Sequence, residues 1–196
     1  MRYASMRKFD ISNGDGIGAS LFVQGCHFHC KNCFNSDTWN FHGGKKWTID
    51  DRLKFLNIVS NQNIKRVTIL GGEPLCDENV NDVLSLVSEI RDMPYKTIWI
   101  YSGYRFNDIL NSVNMNTQTK EDVARFRTIL LADVMVDGQY VDELKNPHLK
   151  FRGSSNQRVI DLKQTLGNIN VSDICNFGNI ENVNEYIDNH VICLYK

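Results

Sequence analysis

Three cysteines, Cys26, Cys30 and Cys33, lie in the run Gly25-Cys-His-Phe-His-Cys-Lys-Asn-Cys-Phe34, with gaps of three residues and then two. Three thiolates can hold three irons of a cubic [4Fe–4S] cluster and leave the fourth iron without a protein ligand, whereas electron-transfer ferredoxins supply a fourth cysteine. An open iron is a place to bind and reduce a small molecule, so the spacing points to an enzyme site. Two other readings stand beside it. His27 or His29 could complete a Cys3His zinc site, or the three thiols could be unlinked small hydrophobes. The two histidines read as loop residues lining the site more readily than as ligands.

A second run, Gly71-Gly-Glu-Pro74, follows a short apolar stretch. Two glycines let a chain turn sharply and bring its backbone against a ligand, and the proline directs the exit. Glu73 can accept from a ligand ammonium. Alone, such a turn is ordinary; beside the cysteine triad it is much more specific.

These loops need elements to hold them. Ala19–Gln24 reads as a strand ending at Gly25, and Val67–Leu70 as a second ending at Gly71. Thr97–Tyr101 and Asp133–Asp137 read as a third and a fourth, ending at Ser102-Gly103 and Gly138. Between them, Thr48 is a helix cap with acidic Asp51 three residues on, followed by Leu53, Phe55, Leu56 and Val59. Val80, Val83, Leu84, Val87 and Ile90 keep a three-four period, predicting a helix to about Arg91. Phe106–Leu110 and Glu121–Leu130 predict two more helices, with Asn111–Gln118 as a polar loop. Alternating strands and helices imply right-handed crossovers and a mainly parallel sheet, whose ligands gather at the carboxyl ends of the strands. Four such strands predict an α/β fold of the open, partial (β/α) barrel kind. Residues 1–166 make one domain, and 167–196, rich in Asn and Ile, an appendage.

Composition narrows the function. A net charge of −1 advertises neither nucleic acid nor an anionic membrane surface. No apolar run approaches the ~18 residues needed to span a bilayer, and the N-terminus lacks the apolar region of a secretory signal. Six cysteines, three of them in one loop, then indicate metal ligation in a reducing cytoplasm rather than disulfides. Cys76, Cys175 and Cys193 are scattered and read as incidental thiols, Cys76 with a reservation because it follows the Gly-Gly-Glu-Pro run. Trp39, Trp47 and Trp99 read as packing residues.

The cysteine triad after one strand and Gly71-Gly-Glu-Pro74 after the next together resemble the radical S-adenosylmethionine superfamily. Further runs sharpen the likeness: Asn13-Gly-Asp-Gly16, Cys33-Phe-Asn-Ser-Asp-Thr-Trp39, Ile98-Trp-Ile-Tyr-Ser-Gly-Tyr104, Val136-Asp-Gly138 and Phe151-Arg-Gly-Ser-Ser-Asn-Gln157. Over residues 9 to 161 the chain is similar to activating proteins of anaerobic (class III) ribonucleoside-triphosphate reductases.

The resemblance implies that Cys26, Cys30 and Cys33 ligate a [4Fe–4S] cluster whose open iron chelates S-adenosylmethionine. Asn32, Cys33 and Phe34 would line the adenosyl group, Gly71, Gly72 and Glu73 would hold the methionine end, and Tyr101, Ser102 and Asp137 would be wall residues. Related activases often carry lysine where this chain has Gln139. The implied reaction is reductive cleavage of S-adenosylmethionine, followed by hydrogen abstraction from a glycine of the reductase. The implied partners are that glycyl-radical subunit and a low-potential electron donor such as flavodoxin or a thioredoxin-type system, with no nucleic acid and no membrane. Arg152–Gln157 would dock the partner or close the site. The rivals are an activase of another glycyl-radical enzyme, of the pyruvate formate-lyase type, and a non-enzymatic Cys3His zinc or iron–sulfur module.

Overall fold

The computed structural model describes residues 1–113, 118–169 and 182–195. Seven strands form one sheet: β1 (Arg2–Asp10), β2 (Gly18–Gln24), β3 (Lys45–Lys46), β4 (Arg66–Gly71), β5 (Thr97–Tyr101), β6 (Val134–Asp137) and β7 (Arg158–Asp161). Their order is β3-β1-β2-β4-β5-β6-β7. The central run β2-β4-β5-β6 is parallel, and β1, β3 and β7 add antiparallel edges. The four parallel strands are those the apolar runs predict. The sheet is therefore mixed.

The edge strands escape the sequence pattern for a physical reason. β1 mixes buried, half-buried and exposed residues without a regular period and its register shifts twice, between Tyr3 and Ser5 and between Arg7 and Asp10, so no clean alternation reaches the sequence. β3 is only two residues long, and β7 has just two buried apolar residues, Val159 and Ile160, between charged Arg158 and Asp161.

Helices α1 (Ile49–Ser60), α2 (Val80–Arg91), α3 (Phe106–Ser112), α4 (Lys120–Leu131), α5 (Leu162–Asn168) and α6 (Val183–His190) complete the described elements. Thr48 caps α1 as predicted, in a reciprocal box with Asp51; Thr119 and Asp122 do the same for α4, satisfying otherwise orphaned N–H groups. In α1 the buried face is Phe55 and Val59, while Leu53 stays exposed. The predicted loop 111–118 opens with the end of α3, and its residues 114–117, like Cys175 and most of 167–182, lie outside the described residues.

The sheet's two faces differ. Leu21, Val23, Val67, Ile69, Ile98, Ile100 and Met135 join the main core with Phe55, Val83, Val87 and Ile129 of the helices. Alternate residues Trp99, Val134, Val136 and Val159 form a separate cluster on the opposite face, with Tyr101, Phe151 and Tyr195 against it. Parallel strands buried on both sides read as continuous apolar runs, which is why these strands were legible. α6 buries Ile187 in the main core, and its Asp188 bonds Asn107 and Arg158.

Gly167, one residue from the end of α5, has nothing within 4 Å of where a Cβ would lie. Gly167→Ala is expected to stabilise the protein by a few tenths to about 1 kcal/mol, by narrowing the unfolded ensemble. A urea unfolding midpoint raised at constant m-value would show it; a lowered midpoint would mean that α5 is not helical at this position.

Candidate functional site: a cysteine-lined cavity

Gly25 ends β2 with φ +98, and from there the chain closes on itself. The Gly25 N–H donates to Thr38 O (2.7 Å) and the Cys26 N–H to Trp39 O (3.1 Å). Within this closed loop His29 and Asn32, the residues before Cys30 and Cys33, take left-handed backbone (φ 47 and 56), which both residue types tolerate better than most. The Cys33 N–H donates to Cys30 O at 3.1 Å. The result is a tight coil that brings Cys26, Cys30 and Cys33 onto the wall of one cavity of about 450 Å³. Asn32 donates to Asp142 Oδ2 (2.7 Å) and Lys31 pairs with Glu143 (3.1 Å), tying the coil to the loop after β6.

Gly71 ends β4 with φ +110. The Gly72 N–H donates to Val23 O (2.9 Å) and the Glu73 N–H to Gly25 O (2.7 Å). The Gly-Gly-Glu turn is thus laced to the strand end that launches the cysteine coil. A methyl group on Gly72 would collide with the Gly25 carbonyl oxygen and lie 2.9 Å from its carbonyl carbon, so only glycine permits this approach. Glu73 is 2% exposed and accepts from Ser102 Oγ (2.7 Å), the Gly103 N–H (2.7 Å) and the Leu75 N–H (2.8 Å). Its carboxyl joins the ends of β4 and β5. Burial pushes its pKa up to about 7, opposed by the Gly103, Leu75 and Ser102 hydrogen bonds.

Of the residues predicted for the site, the three cysteines, Phe34, Gly71, Gly72, Glu73, Tyr101 and Ser102 all line this cavity, and Asn32 and Asp137 do not. Asn32 is exposed. Asp137 is buried behind the wall, accepting from the Phe106 N–H (2.9 Å) and from Arg158 Nη2 (2.5 Å). His27 and His29 do not line the cavity either. His27 meets Glu78 at 2.9 Å and His29 packs at a tilt against Trp39, ring centroids 4.9 Å apart. Cys76 is buried but off the wall.

Two further stretches of wall lie outside the predicted site residues, the first missed by the sequence reading and the second anticipated only in the run Arg152–Gln157, expected to dock the partner or close the site. Arg7, Ser12 and Asn13 come from β1 and the turn after it. Gln139, Tyr140, Leu149, Phe151, Arg152, Gly153 and Gln157 come from the β6–β7 connection. The second had a signal, the Arg-Gly-Ser-Ser-Asn-Gln run, whose internal bonds now explain it. Gln157 Oε1 accepts from the N–H groups of Gly153 (2.9 Å) and Ser154 (3.2 Å), while Gln157 Nε2 donates to Gly138 O (2.9 Å). Gln157→Ala should lose all three and cost about 1–3 kcal/mol, measurable as a lowered thermal midpoint; an unchanged midpoint would mean that this side chain does not hold the loop.

The donor set can be tested against a cluster. Cys26 is pushed up to about 11 chiefly by burial, and Cys30 is raised by burial and by the neighbouring Cys33. A cationic centre bound there would compensate the charge of the buried thiolates, with release of protons. Three cysteines on the wall of one cavity would suit three irons of a [4Fe–4S] cluster. Among the described residues, no helix is long and apolar enough to cross a membrane.

Comparison with known proteins agrees. The 4Fe-4S single cluster domain family matches residues 12–160. A protein of Escherichia coli (strain K12), named an anaerobic ribonucleoside-triphosphate reductase-activating protein, is 36% identical over 166 residues, covering 83% of this chain and all of that protein. Identically named proteins of Vibrio cholerae and Enterobacteria phage T4 are each 32% identical over 160 residues. These alignments cover 80% and 81% of this chain, and 96% and 93% of theirs.

Proposed function

Since the chain belongs to the 4Fe-4S single cluster domain family, together with the anaerobic ribonucleoside-triphosphate reductase-activating proteins, we propose that it is a radical S-adenosylmethionine activase of such a reductase. The observation that carries this reading is the lacing of Gly72 and Glu73 to Val23 and Gly25 beside the three cysteines of one cavity. It makes the cluster coil and the Gly-Gly-Glu turn a single rigid unit, as a reaction between two bound groups requires.

Cys26, Cys30 and Cys33 would hold the cluster and leave its fourth iron open. When bound, the cluster would supply the electron that cleaves a carbon–sulfur bond of S-adenosylmethionine, releasing a carbon radical that takes hydrogen from a partner glycine. The chain's own residues bind and shield. The N–H groups of Gly72 and Glu73 are already donated to β2 and the coil, and the Glu73 carbonyl accepts from Asn79, so the turn would offer a ligand the carbonyl oxygens of Gly71 and Gly72, which suit an ammonium. Phe22, Phe28, Leu70 and Phe151 give the cavity apolar walls that exclude water. Phe34, on the wall yet 72% exposed, stands where the adenosyl group or an entering glycine loop would pass. Asn32 and Asp137 would act from behind, Asn32 by fastening the coil and Asp137 by fixing α3 and Arg158.

The fold read this way is an open partial barrel of the radical S-adenosylmethionine type, with residues 1–166 carrying the activity and 167–196 an appendage. The protein would work in the cytoplasm with a low-potential donor such as flavodoxin or a thioredoxin-type system.

The test is anaerobic. The protein reconstituted with iron and sulfide, reduced, and given S-adenosylmethionine should release 5′-deoxyadenosine. With a class III reductase it should raise a glycyl-radical EPR signal on that partner. A signal only on a pyruvate formate-lyase-type partner would move the assignment to that class of activase. Zinc in place of a cluster, with no cleavage, would sink it.

A further inference from the structure

Arg152 is the unusual group on the cavity wall. Its Nη1 donates to Gln157 O at 2.9 Å. Its Nε is buried and has no hydrogen-bond partner, and among the described residues Arg152 has no carboxylate partner. The other arginine on the wall, Arg7, lies 3.7 Å from Asp10 and over the Phe22 ring at 4.5 Å. Arg66, deeper in the fold, also pairs with Asp10, at 3.2 Å. Only Arg152 brings to this cavity a guanidinium whose charge the described protein leaves without a carboxylate.

The placement is held against strain. Phe151 has φ +58, a conformation that costs a bulky residue on the order of 1–3 kcal/mol and persists only where surroundings impose it. Here they do: the Phe151 ring packs edge-on to Trp99 and Tyr195, each at 5.4 Å. On the other side Gln157 grips the Gly153 and Ser154 N–H groups. With Nη1 held by Gln157, the guanidinium edge made by Nε and Nη2 remains, and that edge matches the two oxygens of a carboxylate. A second orphan donor, the buried hydroxyl of Tyr101, belongs to the same cavity. A site with unsatisfied donors calls for a ligand that brings acceptors, since buried polar groups are costly unless paired.

We propose that the Nε–Nη2 edge of Arg152 binds a carboxylate, namely that of the methionine end of S-adenosylmethionine. The inference rests on the activase reading, and extends it by dividing the amino-acid end between Gly71-Gly72 for the ammonium and Arg152 for the carboxylate. Arg152 thereby sets specificity for an α-amino acid sulfonium over its decarboxylated counterpart.

The experiment measures binding alone, by equilibrium dialysis on the anaerobically reconstituted protein without reductant or partner. The ligands are S-adenosylmethionine and decarboxylated S-adenosylmethionine, with iron and sulfide content checked for each variant. Arg152→Gln should weaken S-adenosylmethionine by on the order of 10- to 100-fold and leave the decarboxylated ligand bound as in the wild type. Arg152→Lys, which keeps the charge and loses the fork, should fall between. Equal binding of S-adenosylmethionine by wild type and Arg152→Gln, or equal losses for both ligands, would overturn the inference alone. If Arg152→Gln does not hold its cluster, Arg152→Lys carries the test, and an undiminished preference for the carboxylated ligand would overturn it. A discrimination that emerges only with the reductase present would assign the carboxylate to the partner, also overturning it. Wild-type protein that binds neither sulfonium would overturn the activase reading itself.

Discussion

Cys30→Ala is expected to abolish cluster assembly and all cleavage of S-adenosylmethionine, while the chain remains folded. Cys30 is the middle cysteine of the coil, between two residues of left-handed backbone, and among the described residues no cysteine besides it, Cys26 and Cys33 lines the cavity. Cys76 is buried off the wall. Two ligands would remain for three irons. The fold has little at stake: Cys30 is half-exposed, and the coil is closed by the backbone bonds of Gly25 and Cys26 to Thr38 and Trp39. Apoprotein stability should therefore change by less than about 1 kcal/mol. Iron and sulfide analysis, the cluster's visible absorbance and 5′-deoxyadenosine release check the first part, and an apoprotein denaturation curve the second. Normal cleavage by this variant would falsify the ligand assignment.

Gly72→Ala should be nearly as damaging to the reaction, and by another route. The added methyl would lie 2.9 Å from the carbonyl carbon and 3.0 Å from the nitrogen of Gly25. Backbone cannot swing aside as a flexible side chain can, so β4's end must part from the coil, stretching the Glu73 N–H to Gly25 O bond of 2.7 Å. Overpacking of this kind costs typically 1–3 kcal/mol, occasionally more. Displacement of one reacting group by about 1 Å can cost on the order of 100-fold in rate. The variant should assemble a cluster, because its cysteines are intact, yet show weakened S-adenosylmethionine binding and a single-turnover rate down by about that factor. A cluster-loaded Gly72→Ala enzyme with wild-type turnover would show that the close approach of the two loops is not what aligns the ligand.

The contrast between these variants reflects what each level of information carries. The cysteine spacing, Gly71-Gly-Glu-Pro74 and the four apolar strands are local properties of the chain. Parallel strands buried on both faces have to be continuous apolar runs, and a capping box such as Thr48–Asp51 spans four residues, so each is written in consecutive positions. The sequence alone therefore determined the α/β class, the parallel center of the sheet, the loops that bear the site and the kinship of the chain. It did not reveal β1, whose shifting register and irregular burial erase the alternation, and so it missed Arg7, Ser12 and Asn13 on the wall. Nor could it show that Asn32 and Asp137 stand off the cavity wall while Arg152 stands on it, without a carboxylate partner among the described residues. Which side of a loop a side chain takes depends on distant partners: Asp142 for Asn32, Arg158 and the α3 N-terminus for Asp137, Trp99 and Tyr195 for the turn before Arg152. Only the tertiary structure decided those orientations, because hydrogen bonds and ring contacts between residues far apart in the chain set the direction of a side chain, whereas residue type and spacing set only which loop it is on.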